Sequence, residues 1–349
     1  MLKEGEAQGS DVVAHSAGIL DIKTNILPNA DALFLTAIDP YGHELWRWTF
    51  PVNKLNQQTE QLSPLSSRPA YTETENELTV KANKRTFIFS KKDGQLKGVS
   101  VDNRKISFAN GPRFIGARRA DRSLDQFYNH DDEKAKEKDR TYSEFPDATV
   151  FTKLDVKQDG GDLIVTANYK LGNLDKAQWT INPSGELALD YTYNFSGVVD
   201  LMGIRFDYPE DQVISKRWLG AGPYRVWQNR IHGTQYDVWE NDYNDPIPGE
   251  TFTYPEFKGY FGDVSWMNIQ TKEGTISLTN ETPDAYIGVY QPRDGRDRLL
   301  YTLPESGISV LNVIPPVRNK VNSTDLCGPS SQPKWVNGPQ TGRVIFRFM

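Results

Sequence analysis

The feature that most constrains the fold is a long succession of short segments in which apolar and polar residues alternate. Such alternation is typical of half-buried β-strands, and turn residues such as Lys92-Asp93-Gly94 separate the segments. No ten-residue segment repeats its apolar residues with the period of a helix. From residue 76 onward the predicted strands are 78–82, 85–90, 96–101, 106–109, 150–156, 162–170, 177–181, 186–195, 280–282, 285–291, 307–312 and 343–348. This pattern predicts an all-β domain built from two large, packed antiparallel sheets.

The first 55 residues predict a separate small module. Alternating segments with short turns suit an immunoglobulin-like sandwich. These predicted strands are 11–15, 19–24, 32–38 and 44–51. That architecture normally has about seven strands, so we expect only part of it here. The predicted domains are a partial immunoglobulin-like β-sandwich (1–55), a Gln-, Ser-, Thr- and Pro-rich linker (56–75) and the large β-domain (76–349). The alternative for the first module is an N-terminal hairpin layer of the large domain.

Residues 217–266 differ from the rest of the chain. They hold half of the eight tryptophans, at Trp218, Trp227, Trp239 and Trp266, among carboxylates, amides and arginines and with many Pro and Gly residues. Long, turn-rich connections of this kind tend to be functional. Aromatic faces beside hydrogen-bonding groups suit a sugar, because its C–H face stacks and its hydroxyls need donors and acceptors. The alternative is that these side chains fill the core of a large sandwich.

The same segment carries a family resemblance. The run 218–230 (WLGAGPYRVWQNR), followed by Gly233 and by 254–260 (YPEFKGY), resembles the C-terminal domain of glycoside hydrolase family 2, the last domain of large β-galactosidases. The resemblance implies the supersandwich fold that this domain shares with galactose mutarotases. It also implies an immunoglobulin-like domain before the supersandwich and a periplasmic or cell-surface location. Residues 118–121 depart from the family, since they read Arg-Arg-Ala-Asp in place of an Arg-Ala-Pro-type segment.

Composition and charge exclude several classes of function. With 37% hydrophobic residues the chain can bury a large core, and its net charge of −6 arises from interspersed charges of both signs. The sequence therefore contains neither a basic nucleic-acid face nor a polybasic membrane anchor. No apolar run is long enough to span a bilayer. The single cysteine, Cys327, excludes an intrachain disulfide. We expect no nucleic-acid partner and no membrane partner.

Hydrolytic machinery is not evident in the sequence. Glycoside hydrolysis usually needs two carboxylates across the scissile bond, and the resemblance implies that both lie on a (β/α) barrel upstream of this region. Strands and helices do not alternate in this chain, so we expect no such barrel in it. Asn280-Glu281 matches the Asn-Glu pair of the family's acid/base, but its position between a strand and a turn favours coincidence. We therefore expect this chain alone to lack hydrolase activity and a longer parent protein to be the enzyme.

Other chemistries have less support. An aldose epimerase needs a histidine paired with a carboxylate, and only His232 lies near plausible partners. One cysteine and four scattered histidines cannot form a zinc site. Asp242, Asn244 and Asp245 could offer oxygens to Ca²⁺, although turn and capping roles explain such residues more often. We predict no cofactor and no metal site.

Carbohydrate binding is the remaining candidate function. In the resembling β-galactosidases a tryptophan near the C-terminus stacks on the bound sugar. Trp335, in a Pro/Ser/Gly-rich loop before the last predicted strand, best corresponds to it. The candidate binding residues are Trp335, Tyr224, Trp227, Arg230, Trp239 and Glu240.

The predicted function is a non-catalytic, carbohydrate-binding region that completes the active site of a β-galactosidase-like family 2 enzyme acting on glycosidic bonds of oligo- or polysaccharides. Its expected partners are a galactoside-like glycan, the upstream barrel and a second copy in a homo-oligomer. The alternatives are a free-standing carbohydrate-binding protein and an aldose epimerase-like enzyme.

Overall fold

A computed structural model describes residues 3–9, 11–23, 27, 30–52, 67–119, 142–243, 257–292, 303–317 and 328–349. The chain divides into two compact units, Met1–Gln58 and Thr59–Met349. Among the described residues there is no α-helix, and hence no helix that could cross a membrane. Several features of the sequence lie outside the described residues, namely Asn244, Asp245, Cys327, most of the linker and the Pro-Glu part of 254–260.

The described part of the first unit contains one antiparallel hairpin, made of β1 (Ala32–Ile38) and β2 (Glu44–Pro51). Both strands have the predicted bounds. The predicted strand 11–15 is wrong, and so is the described part of the predicted strand 19–24, because residues 11–23 form no strand. Almost all of these side chains are exposed, and alternation without a pairing partner does not make a strand.

The second unit consists of strands joined by turns. In chain order they are β3 (Ala70–Glu73), β4 (Glu77–Ala82), β5 (Arg85–Ser90), β6 (Leu96–Val101), β7 (Arg104–Ile106), β8 (Ala109–Arg119), β9 (Tyr142–Glu144), β10 (Val150–Asp159), β11 (Asp162–Lys170), β12 (Leu174–Ile181), β13 (Leu187–Val199), β14 (Leu201–Asp207), β15 (Val213–Gly222), β16 (Gln235–Asp242), β17 (Trp266–Thr271), β18 (Gly274–Asn280), β19 (Tyr286–Gly288), β20 (Ile308–Val313) and β21 (Lys334–Phe348). Short 3-10 turns lie at Glu210–Gln212 and Pro329–Ser331.

Two large sheets contain all of these strands. The nine-stranded sheet has the order β10-β11-β12-β13-β21-β18-β17-β15-β16. The ten-stranded sheet has the order β19-β20-β14-β8-β6-β5-β4-β3, with β7 paired to β6 and β9 paired to β8. The neighbouring named strands pair antiparallel. The predicted all-β supersandwich of two antiparallel sheets is confirmed.

The core lies between the two sheets and is rich in aromatic side chains. Phe108, just before β8, stacks on Phe206 of β14 with 4.7 Å between ring centroids and lies 5.0 Å from Phe346 of β21. Trp179 of β12 meets Phe89 of β5 across the same interface, at 5.9 Å. These contacts join strands far apart in the chain, and alternate residues of each strand supply them.

The described residues of 217–266 are less loop-like than their composition predicted. They contain most of β15, all of β16 and the first residue of β17. Two glycines of β15 allow close approach, because a Cβ at Gly220 would lie 3.0 Å from the Gly262 carbonyl oxygen and one at Gly222 would lie 2.5 Å from the Trp239 ring. The glycines that indicated turns therefore serve packing within a strand.

The last strand is longer than predicted and joins two halves of its sheet. β21 pairs with β13 from Lys334 to Phe346 and with β18 only over Val344–Phe348. Its first half contains Gly338 at φ +95° and Pro339, which indicated a loop. Pairing on one side only tolerates both residues, since a proline whose nitrogen faces the unpaired edge removes no ladder hydrogen bond. Trp335 therefore lies in a strand rather than in a loop.

Candidate functional site

Among the three tryptophans that the sequence predicts to bind carbohydrate, Trp335 is the most exposed. It lies at the start of β21 opposite Val198 of β13, and its side chain is 70% exposed. Its neighbour Val336 packs against the core, so Trp335 points to the outer face of the nine-stranded sheet. An exposed indole held on a strand can stack on an apolar ligand face.

The turn that follows β15 contacts the segment leading to Trp335. The Gln228 amide donates a 2.7 Å hydrogen bond to the Gln332 carbonyl oxygen. The Asn229 amide donates to the Val317 carbonyl oxygen at 2.7 Å, and the Val317 N–H donates back at 2.8 Å. These side chains fix the 331–335 segment against the 227–230 turn. Sequence analysis did not select Gln228 or Asn229, although they lie inside the run that carries the family resemblance.

Two of the predicted residues in this turn have mainly structural contacts. Trp227 is 2% exposed and packs edge-on against Tyr260 with ring centroids 5.8 Å apart, so it belongs to the core. Tyr224 is half-buried, meets Phe257 edge-on at 5.0 Å and donates a long hydrogen bond, 3.4 Å, to the His232 carbonyl oxygen. Neither side chain is free to stack on a ligand with both faces.

Arg230 is exposed at the tip of the turn. Its backbone N–H donates to the Trp227 carbonyl oxygen at 2.8 Å, which closes the turn. The hydrogen bonds of Gln228 and Asn229 place this turn beside residues 315–317 and 331–332, and the latter lie just before Trp335.

Trp239 and Glu240 lie on β16, the strand that follows this turn at the edge of the nine-stranded sheet. Trp239 is half-buried and donates through Nε1 to the Gln235 carbonyl oxygen at 3.1 Å. Glu240 is exposed and faces Arg217 at 3.8 Å. The turn of residues 223–234 joins β15 to β16, and the Trp239 ring lies against Gly222 at the start of that turn. Trp239 and Glu240 therefore adjoin the turn that carries Tyr224, Trp227 and Arg230, whereas Trp335 lies on β21.

A polar cleft opens on the outer face of the same sheet. It has a volume of about 350 Å³. Its lining residues come from β12, β13, β21 and the turn after β18: Lys176, Gln178, Asp190, Tyr191, Thr192, Glu281, Pro283, Thr341, Gly342 and Arg343. Sequence analysis missed this cleft because its residues are up to 167 positions apart and only the register of four strands brings them together.

Arg343 lies at the centre of the cleft's charges. Its Nη1 donates to Asp190 at 2.5 Å and its Nε lies 3.0 Å from Glu281. Partial burial lowers the pKa of the Arg343 guanidinium, but the hydrogen bond and charge of Asp190, together with the charge of Glu281, outweigh it and leave the pKa raised. With Lys176 the cleft holds two cations and two carboxylates, so its charges cancel.

The residues that the sequence analysis considered and rejected as catalytic or metal-binding groups have ordinary positions in the structure. Asn280 is a turn residue, since its side-chain oxygen accepts from the Thr282 N–H at 3.1 Å and its amide donates to the Val264 and Thr282 carbonyl oxygens. Glu281 pairs with Arg343, and His232 is exposed in a loop. Within the described residues no three His, Cys, Asp or Glu side chains are grouped to hold a metal ion.

The fold and the outer polar face define a large antiparallel supersandwich protein. A sequence model of the β-galactosidase small chain matches residues 81–315, and the chain belongs to that family. The predicted relationship to β-galactosidases is thereby confirmed. Comparison with curated proteins gives no match.

Solved structures of similar shape include galactose 1-epimerase from Lactobacillus acidophilus NCFM, with 10% identity, 81% of this chain and 99% of that chain covered, and a TM-score of 0.41. They also include a galactose mutarotase-like protein from Lactobacillus casei ATCC 334, with 10% identity, 80% and 100% coverage, and a TM-score of 0.31.

Proposed function

We propose that this chain is a non-catalytic, carbohydrate-contacting region of a β-galactosidase-like enzyme of glycoside hydrolase family 2. In this proposal the two hydrolytic carboxylates belong to a (β/α) barrel, and the present chain completes the sugar site from one side. The observation that carries the proposal is the match to the β-galactosidase small chain over most of the large unit.

The surface around Trp335 is the proposed contact. A single exposed indole on a strand offers a stacking face at little conformational cost, and the Gln228 and Asn229 hydrogen bonds hold the preceding segment in place. Arg230, on the neighbouring turn, supplies donors for sugar hydroxyls. Trp227 takes no direct part in this proposal because it is buried.

The test has two steps. The isolated chain is first assayed with a chromogenic β-galactoside, and no turnover above buffer is expected. It is then added to a family 2 catalytic barrel that lacks its own C-terminal domain, and galactosidase activity should rise. Trp335→Ala should reduce that rise about five- to thirtyfold, since one aromatic–sugar stack is worth on the order of 1–2 kcal/mol. Trp46→Ala, which removes an exposed tryptophan of β2, is the matched control and should leave the rise unchanged.

Turnover by the isolated chain would contradict the non-catalytic role, and a barrel that gains nothing from the chain would contradict the completing role.

A free-standing carbohydrate-binding protein is the second candidate, and the polar cleft favours it because its volume suits a small sugar. Trp335→Ala and Gln178→Leu separate the two. Loss of binding by the isolated chain with Gln178→Leu, but not with Trp335→Ala, would favour the cleft as an independent site.

A further inference from the structure

The outer face of the β13–β21 ladder carries one continuous row of side-chain pairs. The two strands pair without a register shift from Lys334 to Phe346, so odd-numbered residues of β21 share one face. Those at 335, 337, 339 and 341 are exposed, whereas their even-numbered neighbours are half-buried. Trp335 and the cleft around Arg343 therefore lie on the same face of the same strand.

The rungs between these two ends are polar. From the cleft outward they are Asp190–Arg343, Thr192–Thr341, Asn194–Pro339, Ser196–Asn337 and Val198–Trp335. We call this row the ladder face. Ser196 donates to the Asn337 side-chain oxygen at 3.0 Å, and the Asn194 amide donates to Asp175. Hydroxyl and amide groups thus follow one another along the row, and each can serve a ligand hydroxyl.

The length of the ladder face sets the size of a ligand that could use it. Arg343 and Trp335 are eight residues apart, or about 27 Å along a strand. A single sugar ring covers only a fraction of that distance. A ligand that reaches both the stacking face of Trp335 and the cleft must therefore be an extended chain.

The charges on the ladder face disfavour an anionic ligand. Arg343 is already shared between Asp190 and Glu281, and Lys176 is the other cation lining the cleft. Asp175, beside Asn194, adds a further carboxylate. A carboxylated or sulfated polymer would meet no uncompensated guanidinium here, whereas neutral hydroxyls find both donors and acceptors.

We propose that the ladder face binds an extended, neutral oligosaccharide, with one end stacked on Trp335 and the other in the cleft at Gln178, Thr192 and Thr341. The inference deepens the proposed function and rests on it in taking Trp335 as a carbohydrate contact. It adds a binding surface and a ligand chemistry, because a surface that contacts several sugar units is suited to neutral, extended chains rather than to a free disaccharide.

The experiment is calorimetric titration of the full chain with neutral β-galacto-oligosaccharides from disaccharide to hexasaccharide. Affinity should rise with length by about tenfold or more over the series, the gain expected from a few added hydrogen bonds. A size-matched polygalacturonate oligomer should bind more weakly than the neutral hexasaccharide.

Variants locate the site. Trp335→Ala should weaken hexasaccharide binding about tenfold, and Thr341→Val, which removes a hydroxyl at nearly constant volume, should weaken it about threefold. The matched controls are Trp46→Ala and Thr49→Val on β2, and both should bind as the unaltered chain does. Asn337→Ala, at an exposed position, replaces Thr341→Val if the latter fails to fold by circular dichroism.

Equal affinity for disaccharide and hexasaccharide, or full hexasaccharide affinity in both Trp335→Ala and Thr341→Val, would overturn the inference. Its failure is distinct from that of the proposed function. If the chain activates the barrel but its affinity does not depend on oligosaccharide length, the active-site role stands and the ladder-face proposal fails. If the affinity depends on length but the barrel is unaffected, the ladder-face proposal stands and the active-site role fails.

Discussion

Trp227 and Trp335 both lie in segments rich in Pro, Gly, Asn and Gln, yet their side chains are 2% and 70% exposed. Truncating the buried ring leaves a cavity against Tyr260, so Trp227→Ala should lower the free energy of unfolding by about 3–5 kcal/mol. Trp335→Ala removes few packing contacts and should change it by less than about 0.5 kcal/mol. Urea denaturation followed by circular dichroism measures both values. Similar losses in the two variants would show that Trp335 is also a packing residue.

The difference between these two tryptophans could not be predicted from the residues around them. The backbone groups of Val226 and Tyr260 pair with hydrogen bonds of 2.7 and 2.8 Å, and this bridge between distant segments buries the Trp227 ring. At Trp335 the opposite strand ends in Val198 and Val199, which leaves the indole exposed. Composition correctly selected an aromatic-rich region, whereas burial depended on partners that are far away in the chain.

At the scale of the element, β13 places two tyrosines, Tyr191 and Tyr193, on the core side of its sheet. Burial raises the pKa of the Tyr191 hydroxyl to about 12, and a hydrogen bond with Thr282 lowers it only in part. Gly342, opposite Tyr191 on β21, leaves room for that hydroxyl because any Cβ there would overlap it.

A raised pKa in the folded state gives a defined dependence of stability on pH. The neutral Tyr191 hydroxyl stabilises the fold fully below about pH 10, and this contribution is lost as pH rises from about 10 to about 12. By about pH 11.5 the loss from this one group should be about 2 kcal/mol. Urea unfolding at about pH 9 and about pH 11.5 should therefore show a smaller alkaline loss in Tyr191→Phe than in the unaltered chain. Tyr71→Phe, on the exposed strand β3, is the control and should keep the original loss; the same loss in Tyr191→Phe would refute the account.

Strand prediction succeeded where alternation and local turns determine the structure. The hairpin of β10 and β11 and the pair β4 and β5 lie close to their predicted positions. It failed where pairing is non-local. β21 continues through Gly338 and Pro339 because β13 supplies thirteen opposite residues. The cleft has the same origin, since Gln178, Asp190 and Arg343 become neighbours only through strand register.

At the scale of the whole molecule, the two compact units differ in what can stabilise each by itself. The large unit has a core between two sheets of nine and ten strands. The described part of the first unit has one sheet of two strands, β1 and β2, and an isolated hairpin is marginally stable in water. Several of its large apolar side chains are exposed, among them Trp46 at 53% and Trp48 at 44%.

This difference predicts independent folding of the large unit. A fragment of residues 59–349 should unfold in one cooperative urea transition at the midpoint of the full chain's main transition, because the core aromatic contacts all lie within it. A fragment of residues 1–58 should show no cooperative transition. The larger fragment should also keep the oligosaccharide length dependence, since β13 and β21 are both inside it, and this makes glycan binding a control for native structure. Loss of the cooperative transition in residues 59–349 would mean that the first unit contributes to the stability of the second, and the division into two units would then not describe how the chain folds.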